Sequence, residues 1–221
     1  TRYEAGIDKS PDYSEAADAY EKSEGHLPGS GNSFNQLGVL HQLQGSFLLS
    51  LYNYILALHT SSPFPTSGPN FKQACKISAS KEIPPGEVKK RTLANFVRFA
   101  GFCLHSPSSL SSDSVLELVE ELNRSIRSSM FSESTYLKTL VVAMHLVHSD
   151  PAPSGHAVQF YDGFTMALAS GVKSMAEKGI RNVKEGKRRS KQVKMLNVLW
   201  VALEHSEARS VELGEETKRV V

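Results

Sequence analysis

Apolar residues in this chain recur at spacings of three and four, segment after segment, and each segment is closed by glycine, proline or a serine cluster. No Val/Ile-rich alternation bounded by turn residues interrupts the pattern, so the periodicity demands helices and leaves nothing to build a sheet. After Asp12, Ala16, Ala17 and Tyr20 share one face of a segment that ends near Gly25, with Pro28 beyond. Gly31-Asn32-Ser33 opens the next, which carries Phe34, Leu37, Val39, Leu40 and Leu43 to Gly45. A third places Leu48, Leu51, Tyr52, Ile55 and Leu58 before Ser61-Ser62-Pro63-Phe64-Pro65. The break at Gly45 is so short that the second and third helices are expected to form an antiparallel pair.

Further helices are expected over about 70–78, 87–105, 112–126, 133–148, 155–179 and 190–209. Leu93, Phe96, Val97, Ala100 and Leu104 make the inner face of the 87–105 helix, and Leu116, Val119, Leu122 and Ile126 that of the next. Residues 106–114, with six serines and one proline, read as a flexible connector in which Ser112 or Asp113 is the N-cap. The fold class is therefore all-α, a stack of helix pairs followed by antiparallel helical hairpins, divided into 1–80 and 81–221.

Composition narrows the function classes. The chain has 221 residues, 40% hydrophobic and 22% charged, enough to bury a core and too apolar for disorder. With 25 Lys+Arg against 23 Asp+Glu the net charge is +2, so any affinity for nucleic acid has to come from a local patch. Cys75 and Cys103 are too few for a disulfide scaffold or a thiolate zinc site, which favours a reducing compartment, cytoplasm or nucleus. No apolar run approaches the roughly 20 residues that span a bilayer, so no membrane role is expected. The chain opens on Thr1 without a signal-peptide pattern and is expected to be a piece of a longer protein.

A repeat of about 34 residues fits the first third. Ala16 and Tyr20 take the small and aromatic positions of one second helix, with Pro28 closing the repeat. Phe34, Leu37-Gly38, the wedge Tyr54, the small Ala57 and Pro63 continue it. Ala16–Tyr20, Leu27-Pro28-Gly29, Gly31–Gly38, Tyr52-Asn53-Tyr54, Pro63-Phe64-Pro65 and Asn70-Phe71 follow in one order at short spacing. This block resembles the family of telomerase-associated and nonsense-mediated mRNA decay adaptors, the ever-shorter-telomeres and SMG-type proteins. Phe34 stands where the family pattern has Tyr, Gly38 where it has Ala, and the stretch from Asn53 to Ala57 lacks the usual Arg. Arg98 and Gly101, in the stretch Asn95–Phe102, look like a later family helix.

The resemblance implies a 14-3-3-like tetratricopeptide domain over 1–80 and a DNA/RNA-binding-type helical region over 81–221. It implies an adaptor that docks phosphoserine-containing partners, an RNA helicase of mRNA surveillance among them, with a related adaptor as a hetero-oligomer partner. A phosphate of nearly two negative charges is held by charge-assisted bonds from Arg or Lys. Arg2-Tyr3 sits at the place of the family's phosphate-contacting pair, and against that stands the plain reading of an exposed arginine near a chain end. Asn35 either hydrogen-bonds a docked peptide, as the resemblance implies, or bridges two helices as a buried amide. Tyr52, Tyr54, Phe34 and Phe64 read as packing wedges.

Between Lys173 and Lys194, nine Lys or Arg face only Glu177 and Glu185. Arg181, Lys184, Lys187, Arg188, Arg189 and Lys191 are the candidate contacts to RNA or DNA phosphates. Against that stand two other readings, first a solvated face balanced by the acidic residues downstream and then a nuclear import signal. His145 and His148 are one helical turn apart but lack a third metal ligand nearby, and no nucleophile motif or phosphate loop occurs. Neither catalysis, metal nor cofactor is expected. The alternatives to phosphoserine docking are nucleic-acid binding through 173–194 and a tetratricopeptide scaffold for an unmodified peptide.

Overall fold

The computed structural model describes residues 13–27, 29–82, 86–149 and 155–181, with the side chains of the last helix described to residue 171. Eight α-helices and one 3-10 turn follow one another, and among the described residues the only extended pairing is a single bridge between Ser30 and Ser62. The fold class is all-α. The chain divides into two compact units, 1–78 and 79–221.

In the first unit, α1 (Ser14–His26), α2 (Gly31–Leu43), α3 (Phe47–His59) and α4 (Ser67–Ser80) succeed each other with short turns. Gly45 at φ +74 lets the chain reverse between α2 and α3, and Ser46 N–H donates to His41 O at 2.8 Å. The far ends of the two helices are tied by Gly31 N–H to Ser62 O and Ser62 N–H to Gly29 O, both 2.9 Å. The pair is thus antiparallel, as its short break requires. Close approach depends on absent side chains. A Cβ on Gly38 would lie 2.6 Å from the Tyr54 ring, and one on Gly31 would lie 2.6 Å from Ala57 O. Tyr54 and Ala57 are both buried, and the Tyr54 hydroxyl donates to Gln42 Oε1 at 3.2 Å.

Helix α4 begins three residues earlier than the sequence suggests. Gly68 and Pro69 look like breakers, but Pro69 falls in the first turn, where its missing N–H has no intrahelical partner to lose. Pro28, read as the closing proline of the first repeat, lies outside the described residues.

The second unit holds α5 (Val88–His105), the 3-10 turn Pro107–Ser109, α6 (Ser112–Arg127), α7 (Glu133–Ser149) and α8 (His156–Arg181). Its core is aromatic. Phe160 is fully buried, with ring centroids 5.3 Å from Phe96, 4.8 Å from Phe99 and 5.7 Å from Phe164. Helices α6 and α8 approach where glycines permit. A Cβ on Gly163 would sit 3.0 Å from both Val119 methyls, and one on Gly171 would sit 2.3 Å from Ile126 Cγ2. The order of these two contacts shows that α6 and α8 run parallel, with α7 as the return.

Four expectations are corrected here. The 106–114 stretch contains an ordered 3-10 turn and the cap of α6. That cap is Ser111, not Ser112 or Asp113: its Oγ accepts from Ser114 N–H while Ser114 Oγ accepts from Ser111 N–H, both at 3.1 Å. The buried stripe of α6 is Val115, Leu118, Leu122 and Ile126, and Leu116 is 55% exposed. The stripe turns this way because Ser125, fully buried, donates to Leu122 O at 2.6 Å and lies 3.3 Å from the Tyr136 hydroxyl on α7. On α5, Phe96, Val97 and Ala100 are buried as expected, whereas Leu93 and Leu104 are half-exposed and Phe99 and Cys103 take their place.

Gly38→Ala and Gly171→Ala force a methyl into occupied space, so each is expected to lower unfolding stability by about 1–3 kcal/mol. Denaturant titration checks this, with a lower midpoint and an unchanged slope expected. Burial raises the Tyr54 and Tyr136 hydroxyls above the ordinary phenol value of 10.0. Below pH 10 both folded and unfolded phenols are neutral and nothing is lost. Above it the unfolded chain ionises first, so stability falls as pH rises through and beyond 10. Thermal melts from pH 9 to 11 are expected to fall less steeply in Tyr54→Phe and Tyr136→Phe than in the parent chain.

Candidate nucleic-acid interface

Helix α5 turns Phe96 and Phe99 inward, and this dictates what faces out. Arg91, Asn95, Arg98 and Phe102 fall at i, i+4, i+7 and i+11, one stripe along three turns. The stripe forms one wall of a groove of 620 Å³ whose other wall is α6, with Leu110 after the 3-10 turn and Met130 after α6 completing the lining. Met130 is set there by the end of α6. Ser129 takes φ 53, Ser129 N–H donates to Ile126 O at 3.0 Å and Met130 N–H to Ser125 O at 2.9 Å. This is a glycine-type C-cap made with serine.

Glu121 of α6 fastens the two walls. Its Oε1 lies 2.6 Å from Thr92 Oγ1 and its Oε2 accepts from Asn95 Nδ2 at 2.8 Å. Thr92 Oγ1 is also 3.0 Å from Val88 O, but its single proton goes to the carboxylate, the stronger acceptor. The carboxylate is therefore satisfied by neutral donors and takes none from an arginine. Among the described residues the one ion pair is Lys90–Glu87 at 3.2 Å, so Arg91, Arg98 and Arg124, which all line the groove, form no ion pair with the glutamates that share the lining. Arg98 goes further: its Nε is buried and meets no acceptor, while its guanidinium carbon stands 5.3 Å from the centre of the Phe102 ring. Glu117 and Glu120 lie on the α6 side, both exposed. The arrangement sets three arginines and three glutamates around an apolar floor.

The residues singled out from sequence are distributed otherwise. Arg2, Tyr3, Lys184, Lys187, Arg188, Arg189 and Lys191 lie outside the described residues, and Arg181 closes α8. Asn35 is buried at 2% exposure, and its Oδ1 accepts from Ser67 Oγ at 3.2 Å and Asn70 Nδ2 at 3.0 Å, joining α2 to α4. It is the interhelical amide of the second reading. His145 Nε2 lies 3.2 Å from Ser149 Oγ and His148 Nδ1 2.9 Å from Met144 O. Among the described residues no group of three or more potential ligands is placed to hold a metal, and no helix is long and apolar enough to cross a membrane.

Arg91, Arg124 and Glu121 escaped the sequence reading, and Arg98 entered it only as a family mark. The stripe on α5 was the available signal. The three arginines are scattered over 34 residues and form no basic run of their own.

The second unit is thus an all-helical module with an arginine- and glutamate-lined groove over an apolar floor. Its family follows from comparison: the Est1 DNA/RNA binding domain matches residues 16–159, well over half of the chain, and the chain belongs to that family. The match encloses the whole α5–α6 groove. No curated protein matches the chain.

Replacing Glu121 with Ala removes the acceptor shared by Thr92 and Asn95 and is expected to cost about 1–3 kcal/mol of stability. Glu121→Gln, which keeps one acceptor oxygen, is expected to lose less. Urea denaturation of the two variants side by side tests the ranking.

Proposed function

We propose that this chain is a non-catalytic adaptor that binds RNA or DNA, serving telomere maintenance or mRNA surveillance in the nucleus, the cytoplasm or both. The observation that carries the reading is the family match over 16–159, a stretch that includes a groove lined by three arginines that form no ion pair. Nucleic-acid backbones offer phosphate oxygens to such arginines. The basic run at 173–194 adds to the same affinity.

The proposal has a second part. The first unit is a 14-3-3-like tetratricopeptide arrangement that docks a phosphoserine-bearing protein through Arg2 and Tyr3, and a related adaptor is its hetero-oligomer partner. The close approach of α2 and α3 at Gly31 and Gly38 supports the helix-pair packing such an arrangement needs. The docking itself rests on the resemblance of Arg2-Tyr3 and its surroundings to the adaptor family.

Fluorescence anisotropy separates the parts. The full chain is expected to bind labelled oligonucleotides with an affinity that falls steeply from 50 to 200 mM salt. It is expected to prefer a phosphoserine peptide pool over its unphosphorylated twin, and to lose that preference, but not oligonucleotide binding, in Arg2→Glu. Equal affinity for the two pools removes the docking part, and oligonucleotide binding that ignores salt removes the nucleic-acid part.

A further inference from the structure

We propose that Ser62 is a phosphorylation site for a proline-directed serine kinase, and that its phosphate caps the start of α2. The inference is independent of the nucleic-acid and docking readings above.

The sequence holds three serines followed by proline, Ser10, Ser62 and Ser106. Such a pair suits a kinase site that offers no acceptor for an N–H after the serine, and the proline holds the serine extended. Ser10 lies outside the described residues. Ser106 is half-buried and folded into the turn Pro107–Ser109, its N–H donating to Phe102 O and its O accepting from Ser109 N–H. Ser62 differs on each count. It is exposed, outside any helix, with Ser61, Pro63, Pro65 and Thr66 exposed around it. It is extended in the bridge to Ser30, and among the described residues no peptide bond is cis. Its hydroxyl has no hydrogen-bond partner among the described residues, so nothing has to break before it reacts. In the transfer, Ser62 Oγ attacks the γ-phosphorus of Mg-ATP and the bond from that phosphorus to the β,γ-bridging oxygen breaks. ADP leaves, and the hydroxyl proton passes to the base of the kinase and on to water.

The bridge decides where the new charge lands. Ser62 N–H donates to Gly29 O and Gly31 N–H donates to Ser62 O, both at 2.9 Å. Ser30 and Ser62 are therefore directly opposed, and their side chains leave on the same side. Ser30 is the N-cap of α2, yet its side chain makes no capping hydrogen bond, and the first turn of α2 holds no acidic residue. The N–H groups of Asn32 and Ser33 thus lack the acceptor that a capping side chain supplies. A phosphate beside Ser30 brings about two negative charges and acceptor oxygens to these donors. The negative end of α3 is close by but partly answered, since Ala57 O already accepts from Phe64 N–H at 3.2 Å and Thr60 Oγ1 at 3.3 Å. The phosphate ties the 29–31 turn to the 60–65 turn and stiffens the α2–α3 pair at the end away from Gly45.

The test incubates the full folded chain with a purified mitogen-activated protein kinase and Mg-ATP, and maps phosphate by tandem mass spectrometry. Ser62 is expected to be modified, and Ser106 about tenfold more slowly, because its turn has to open first. Ser62→Ala and Pro63→Ala each replace an exposed side chain, so parental melting temperatures are expected, and each is expected to remove phosphate from this segment. Pro63→Ala does so with the hydroxyl still present. Hydrogen exchange reads the cap: the amides of 31–34 are expected to exchange about two- to fivefold more slowly in the phosphorylated chain. Kinase-treated Ser62→Ala is expected to keep the exchange rate of its untreated form. The site is overturned if Ser62 of the folded chain stays unmodified, or if its modification survives Pro63→Ala. Unchanged or faster exchange at 31–34 after Ser62 is phosphorylated overturns the cap.

Discussion

The burial of Phe160 fixes the functional face of the second unit. Its ring is shared by Phe96 and Phe99 from α5 and Phe164 from its own helix, so α5 has no rotational freedom about its axis. Four large aromatic surfaces leave water at this point, and aromatic pairs at such distances add about 0.5–1.5 kcal/mol each beyond their area. Once these rings point inward, helical geometry sends Arg91, Asn95, Arg98 and Phe102 outward on one line. The groove is a consequence of the core.

What makes the groove more than a crevice is how its charges are distributed. Glu121 sits within the same lining as three arginines, and an ion pair would have been the ordinary outcome. Its two oxygens instead take protons from Thr92 and Asn95, which hold α5 against α6. The arginines keep their donors, and one of them keeps a donor that is both buried and idle. A stable protein tolerates few such groups, because each costs about 1–3 kcal/mol.

The first unit is built on a different constraint, the absence of side chains. Gly31 and Gly38, two turns apart on α2, let α3 come close enough for Tyr54 to lie across the pair. Asn35 on that same helix is drawn inward by Ser67 and Asn70, so a residue that could have faced a ligand becomes part of the frame. The polar side chain was visible in sequence; its two partners, 32 and 35 residues away, were not.

Periodicity and punctuation were enough to determine the all-helical class, most helix positions and the antiparallel return at Gly45, because these depend on local spacing and on backbone conformations only glycine or proline allows. The resemblance around Gly31–Gly38 led to the right family. Sequence misjudged which stripe of α6 is buried, since Leu116 and Val115 differ only by one position and the choice is made by Tyr136 and Gly163 on other helices. It placed the start of α4 late because a proline in a first turn looks like a breaker. The groove was beyond it altogether. Arg91, Arg98 and Arg124 become one surface only when α5 and α6 fold together, and whether an arginine is paired depends on which neighbours claim the nearby carboxylate. Local sequence sets where helices run; the tertiary structure decided which charges were left unanswered, because pairing is settled by distances between residues far apart in the chain.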